Sequence, residues 1–160
     1  MRRNCLSRFS PAVLMTLATI TLWGAGARQT AGHCQVPCGI YDDAARIKQL
    51  KEDHTTITKA ITQINELAGS HEAQAFNQAA RWVATKEEHA SHVIEVVADY
   101  FLAQRVKPAA RGGEGYDAYL ARLADHHAVI VAAMKAKQSA DPAAADALLA
   151  AINTMAKYYH

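Results

Sequence analysis

Apolar side chains recur at alternating steps of three and four from residue 42 onward. Ile47, Leu50, His54, Ile57, Ile61, Ile64 and Leu67 mark one face of a long helix. Gly69-Ser70 interrupts that stripe. A second long segment then carries Phe76, Ala79, Ala80 and Val83, followed by Val93, Val96, Val97, Tyr100 and Phe101, and Lys107-Pro108 closes it. The glycines of the stretch 108–115 give the chain room to reverse. Tyr116, Leu120, Leu123, His127, Ile130 or Val131, and Met134 then repeat the pattern as a third helix. Asp141-Pro142 places a capping side chain at an N-cap and proline at the first helical position. This opens a fourth helix with Leu148, Leu149, Ile152, Met155 and Tyr159 inward. No segment shows period-two alternation. The pattern predicts an all-α fold, an antiparallel up-down four-helix bundle over residues 42–160 with an irregular N-terminal arm left outside it.

Residues 1–32 read differently. Arg2, Arg3 and Arg8 form a basic start, Pro11 to Trp23 an apolar run, and Gly24, Ala25, Gly26 and Ala27 a cluster of small residues. The apolar run falls short of the about 20 residues that a spanning helix needs, and fits the core of a cleaved signal or leader peptide. Cleavage after Ala27 and after Gly32 both satisfy the small-residue pattern. Loss of 1–32 removes Arg2, Arg3, Arg8 and Arg28 and no acid, which moves the formal charge from +2 to −2. The basic balance thus belongs to the leader and is no argument for nucleic acid, and the mature form is expected to need no membrane. Export to the periplasm or the exterior is the expected destination.

Candidate chemistry concentrates in residues 33–41, His33-Cys34-Gln35-Val36-Pro37-Cys38-Gly39-Ile40-Tyr41. If His33 becomes the N-terminus, one short peptide offers an amine, an imidazole, a backbone amide and two thiolates. The His33 amine and Cys34 amide close one five-membered chelate ring, and the Cys34 amide and thiolate close another. Pro37 bends the chain and Gly39 lets it turn, so that Cys38 can supply a fourth donor. Two nitrogens and two sulfurs in a plane suit nickel(II) or copper(II) better than tetrahedral zinc. The imidazole is then a removable fifth ligand, and the anionic donors favour the higher oxidation state. Composition and compartment alone would instead make Cys34 and Cys38 a small exported disulfide. Three readings stand side by side: a redox enzyme, a helical-bundle binding module with a Cys34–Cys38 disulfide, and a nickel or copper carrier without turnover.

The string His33, Cys34, Pro37, Cys38, Gly39 and Tyr41 resembles the nickel-binding hook of the nickel-containing superoxide dismutases. Asp42, Arg46 and Ile47 at the start of the first helix, and Asp99-Tyr100-Phe101 near the end of the second, extend the likeness over residues 33–160. The resemblance implies an enzyme that disproportionates superoxide with a redox-active Ni(II)/Ni(III) ion. It further implies ligation by the amine and imidazole of His33, the amide and thiolate of Cys34 and the thiolate of Cys38, with Tyr41 over the open face and Tyr100 assisting from the bundle. Family members remove a leader to expose the histidine, some without export, so cytoplasmic residence after leader removal is the alternative localisation. They assemble as homohexamers of right-handed bundles. Gln35 and Lys48 depart from the family pattern, where acidic residues are common. An outer partner for the imidazole is accordingly sought at Glu87, Glu88 or His89.

The remaining polar residues read as structural. His54 and His127 lie on the apolar stripes and are expected to be hydrogen-bonded core residues. The spacing of Glu88, His89 and His92 does not give the Glu-x-x-His metal motif of carboxylate bundles. Tyr158 and Tyr159 are expected at packing or interface positions.

Overall fold

The computed structural model describes residues 39–159. The predicted leader and the predicted metal donors His33, Cys34 and Cys38 lie outside them. Among the described residues the chain forms four helices and no strand. These are α1 (Asp43–Leu67), α2 (Ala73–Glu95), α3 (Tyr116–Gln138) and α4 (Pro142–Ala156), and α2 runs directly into a π-helical segment, Val96–Arg105. None of these helices is long and apolar enough to cross a membrane.

Each boundary has a local cause. The Asp42 carboxylate accepts from the Ala45 amide at 2.9 Å and satisfies one of the orphan donors of α1. Asp141 does the same for the Ala143 amide at 2.9 Å, with Pro142 in the first turn where its missing N–H costs nothing. Gly112 and Gly115 take positive φ values of 73° and 78° in the reversal before α3, a region that a side chain would resist.

Helix α1 packs on α2 and α4, and α3 packs on the same two, so the four form a ring. Contacts at the ends fix the directions. Asp43 at the start of α1 meets Arg105 beyond α2, and Asn65 near the end of α1 donates to the Ala140 carbonyl just before α4 at 2.9 Å. Neighbours along the ring are antiparallel, as expected for short connections. The centre is filled by Leu50, Ile57, Ile61, Val93, Val97, Phe101, Val129, Leu148, Ile152 and Met155, all buried.

The third helix turns a different face inward from the one its apolar period predicts. His126, Val129, Ala132, Ala133 and Ala136 are the buried positions. His127 is exposed, and so are Leu120 and Met134. The sequence pattern follows the larger side chains, whereas the bundle uses the alanine face of α3, which lets neighbouring backbones come close. The start of α2 shows a similar departure. Phe76 is 78% exposed and Val83 and Ala80 also face outward, while Ala75 and Ala90 pack inward.

Among the described residues three polar side chains, Asp53, Lys86 and His126, are buried, and each has a partner. The Lys86 ammonium donates to the Ala136 carbonyl at 2.9 Å and to the Lys137 carbonyl, capping the C-terminus of α3, where a positive charge is favoured. Burial pulls its pKa below the ordinary lysine value. The inward alanine face makes a direct prediction. Ala133→Leu should overpack the core and cost about 1–3 kcal/mol. The same enlargement at exposed Ala121 should change stability by only about 0.5 kcal/mol, read from denaturant midpoints.

Candidate metal centre and its tyrosine pair

The described part of the predicted hook begins immediately after Cys38. Gly39 has φ +88°, a left-handed conformation that a side chain would resist, four residues before α1 begins. Ile40 is exposed, and Tyr41 follows at 37% exposure. The Tyr41 ring stands edge-on to Tyr100, with centroids 5.8 Å apart, and the Arg105 guanidinium lies 4.5 Å over its face. The two tyrosines singled out in the sequence are therefore brought together.

Asp43, in the first turn of α1, holds this corner. Its Oδ1 accepts from the Tyr100 hydroxyl at 2.7 Å and from Arg105 Nε at 2.8 Å, and its Oδ2 accepts from Arg105 Nη2 at 2.6 Å. The Arg105 hydrogen bonds, opposed by partial burial and aided by Tyr100, hold the Asp43 carboxyl below its ordinary 3.8. Burial first, then the bond to Asp43, pushes the Tyr100 phenol up to about 12. The π-helical segment is what lets both residues reach one carboxylate. Its i→i+5 register stacks residues five apart, and Tyr100 and Arg105 are five apart.

A second cation flanks the pair. The Arg46 guanidinium sits 5.5 Å over the Tyr100 ring, and its Nη1 donates to Gln49 Oε1 at 2.9 Å. That contact fixes the Gln49 amide, so Gln49 Nε2 is a donor toward His92 Nε2 at 3.2 Å. His92 must then carry its proton on Nδ1, which donates to Asp53 Oδ2 at 2.8 Å. The other Asp53 oxygen is 2.7 Å from His89 Nδ1. Sequence reasoning missed this convergence. Its only signal was Asp53 falling three residues after Leu50 and four before Ile57 on the inward stripe, opposite two histidines three apart.

The outer-partner candidates have other engagements. His89 is bound to Asp53, Glu88 lines the open groove beside it, and Glu87 pairs with Lys137 at 3.9 Å. Lys48 pairs with Glu52 on the exposed side of α1. Of the expected core histidines, His54 is half-buried with its pKa lowered by that burial, while His127 gives way to His126. Among the described residues no group of three or more His, Cys, Asp or Glu side chains is arranged to hold a metal ion.

A family model described as nickel-containing superoxide dismutase matches residues 28–160, a span that takes in the whole His33–Tyr41 string and the bundle. The chain belongs to that family. Its reaction is the disproportionation of superoxide to dioxygen and hydrogen peroxide, and its cofactor is nickel. No curated protein and no solved structure matched the dismutase. With residues 1–32 removed, His33, Cys34 and Cys38 would offer an amine, an imidazole, an amide and two thiolates, a donor set that fits a nickel ion.

The corner formed by Asp43 gives a stability prediction with a defined sign. Asp43→Asn should cost about 2 kcal/mol at neutral pH, because it removes charge-assisted hydrogen bonds to Arg105. The folded carboxyl binds its proton less readily than the unfolded one. The contribution is thus fully present above the ordinary value of 3.8 and fades as pH falls through the folded value. In the same variant the Tyr100 phenol should move part of the way from about 12 back toward 10.0, followed by phenolate absorbance.

Proposed function

We propose that the mature dismutase begins at His33 and holds nickel through the His33 amine and imidazole, the Cys34 amide and thiolate, and the Cys38 thiolate, with Tyr41 guarding the approach. What supports this reading is that the family match begins at residue 28 and runs through the string His33-Cys-x-x-Pro-Cys-Gly-x-Tyr41. Nickel supplies one-electron redox chemistry when bound. No observation favours the disulfide-bearing binding module or the non-catalytic carrier.

The residues around Tyr41 define what the bundle contributes. Two superoxide anions and two protons become one dioxygen and one hydrogen peroxide, so the approach must admit a small anion. Arg105 is largely neutralised by the Asp43 carboxylate. Arg46 is met by the neutral Gln49 amide and keeps its charge beside Tyr100. In a mature chain of formal charge −2, that local cation is the attractive feature for substrate. Tyr100 is no proton source near neutrality, since its phenol is pushed up to about 12 and donates to Asp43. Its part is to seat the Tyr41 ring.

The proposal extends to assembly and destination. Leu120, Leu123, His127, Val131 and Met134 repeat at steps of three and four along the outer side of α3, partly or fully exposed. A second copy of this chain is the proposed occupant, because the family resemblance implies a hexamer and two oxidisable thiolates need shielding. Removal of residues 1–32 as an export signal would place the enzyme outside the cytoplasm.

Intact mass of the protein purified from its own host, with metal analysis, tests the ligand set. A chain starting at His33 with one nickel per chain is expected, and a dominant form retaining Gly32 overturns it. Cys34→Ser and Cys38→Ser should each lose nickel and dismutation while circular dichroism stays that of the bundle. Arg46→Gln should lower kcat/KM more than kcat and flatten its dependence on ionic strength, since it removes an attracting charge and no ligand. Light scattering of the nickel-loaded protein should give about six times the chain mass on the closed-symmetry reading.

A further inference from the structure

An aromatic chain leads from Tyr41 into the far side of the bundle. The centroid of Tyr41 is 5.8 Å from that of Tyr100, Tyr100 is 4.9 Å from Phe101, and Phe101 is 4.4 Å from Tyr159. At its end the Tyr159 hydroxyl is 2.6 Å from His126 Nε2. His126 is wholly buried, and its Nδ1 lies 2.6 Å from the Arg122 carbonyl, which can only accept. The ring proton is therefore on Nδ1, and Nε2 is an acceptor aimed at the phenol. Desolvation, the largest influence, lowers the His126 pKa and keeps this imidazole neutral. Core packing accounts for the ring contacts, but it does not require a fully buried base set against a phenol.

We infer that Tyr41, Tyr100, Phe101 and Tyr159 form a hole-transfer chain that draws oxidising equivalents away from the hook and deposits them on the Tyr159–His126 pair. The inference rests on the nickel-hook reading for its source of oxidant: hydrogen peroxide is a product of the reaction, and Tyr41 is three residues along the chain from Cys38. Peroxide that takes one electron from superoxide splits into hydroxide and a hydroxyl radical, with dioxygen released, and this radical gains one electron and becomes hydroxide. Tyr159 supplies that electron through the intervening rings, each of which regains what it loses. The Tyr159 O–H bond breaks, its proton forms an N–H bond at His126 Nε2, and a neutral phenoxyl radical remains beside an imidazolium. Superoxide, the enzyme's own substrate, reverses the change: it gives one electron and leaves as dioxygen while His126 returns the proton.

The direction follows from the two proton acceptors along the way. Tyr100 also has a base, Asp43, but this carboxylate is tied to Arg105 and accepts a proton reluctantly. Both acceptors are held below their ordinary values, Asp43 by Arg105 and His126 by desolvation, but the imidazole starts from about 6.5 against about 3.9 for a carboxylate. Losing the proton makes phenol oxidation easier, so the hole settles at Tyr159. Tyr158 lies 6.2 Å from His126 and 6.4 Å from Tyr159 by ring centroids, but its hydroxyl donates to Asp125 at 2.6 Å and not to His126, so it serves as a control for proximity alone.

The first test needs no metal. Azide radicals generated by pulse radiolysis oxidise tyrosines of the nickel-free mature protein, and phenoxyl absorbance reports their lifetimes. A long-lived phenoxyl fraction is expected in the wild type and in Tyr158→Phe, lost at least tenfold in Tyr159→Phe. It should be formed more slowly in Phe101→Leu, which removes the ring that links Tyr100 to Tyr159 and keeps both partners of the Tyr159–His126 bond. An unchanged long-lived fraction in Tyr159→Phe overturns the chain, and that failure would leave the nickel assignment intact. The second test adds hydrogen peroxide to the nickel-loaded protein and follows spin-trapped thiyl radicals, the one-electron products, at Cys34 and Cys38 by mass spectrometry. Several-fold faster oxidation in Tyr159→Phe supports protection of the hook, and equal rates overturn it.

Discussion

The carboxylate of Asp43 joins parts of the molecule that the helical core alone would not bring together. It sits in the first turn of α1, where the helix dipole already favours a negative charge, and it receives Arg105 in a two-pronged contact and the Tyr100 hydroxyl beside it. Tyr100 and Arg105 lie 57 and 62 residues away in sequence, so this one side chain closes the loop between the entry of α1 and the exit of α2. The π-helical segment is the backbone's side of the same constraint. A continued α-helix would send residues five apart to different faces, and the wider turn lets both reach one acceptor. Arg105, so fixed, then lies over Tyr41. The position of Tyr41, the last residue of the predicted hook, is thus set by a hydrogen-bonded ion pair at the end of the bundle.

The legibility of this chain divides along the same line. Helices with contiguous cues were readable: Asp141 as a cap, Pro142 as an opener and Gly69-Ser70 as a break act within a few residues of themselves. The family was readable for the same reason, since the residues of His33–Tyr41 that carry the resemblance are neighbours in sequence. The face of α3 was not. Periodicity weighs Leu120, Leu123 and Met134 above alanines, while close packing of antiparallel helices selects the small residues Ala132, Ala133 and Ala136. That shift moves the buried histidine from His127 to His126. The π segment left no sequence mark either, because Val96–Arg105 reads as ordinary helix until Asp43 is known to need two partners on one side.

Buried polar groups show how the bundle tolerates these departures. Asp53, Lys86 and His126 would each be costly if unpaired, and each is met by groups distant in sequence. Such pairings cannot be inferred from local spacing, since the partners are 36, 50 and 33 residues away. They also specify register. A slide of α3 against α4 would strand His126 without Tyr159, and a slide of α1 against α2 would leave the Asp53 carboxylate without its two imidazoles. An apolar core of alanines and leucines tolerates small shifts; these polar contacts do not.

The same contacts determine where positive charge survives near Tyr41. Arg105 and Arg46 both lie over tyrosine rings, but their counterparts differ in kind: a carboxylate for Arg105 and an amide for Arg46. The amide orientation propagates along α1 to α2, because Gln49 can donate to His92 only while its oxygen faces Arg46. His92 in turn keeps its Nδ1 proton only while Asp53 accepts it. A carboxylate in place of Gln49 would satisfy Arg46 as well and would remove its unbalanced charge from the approach to Tyr41. For an enzyme whose substrate is a small anion and whose mature surface is expected to be net negative, a neutral partner at this position leaves the attraction in place while still anchoring the guanidinium.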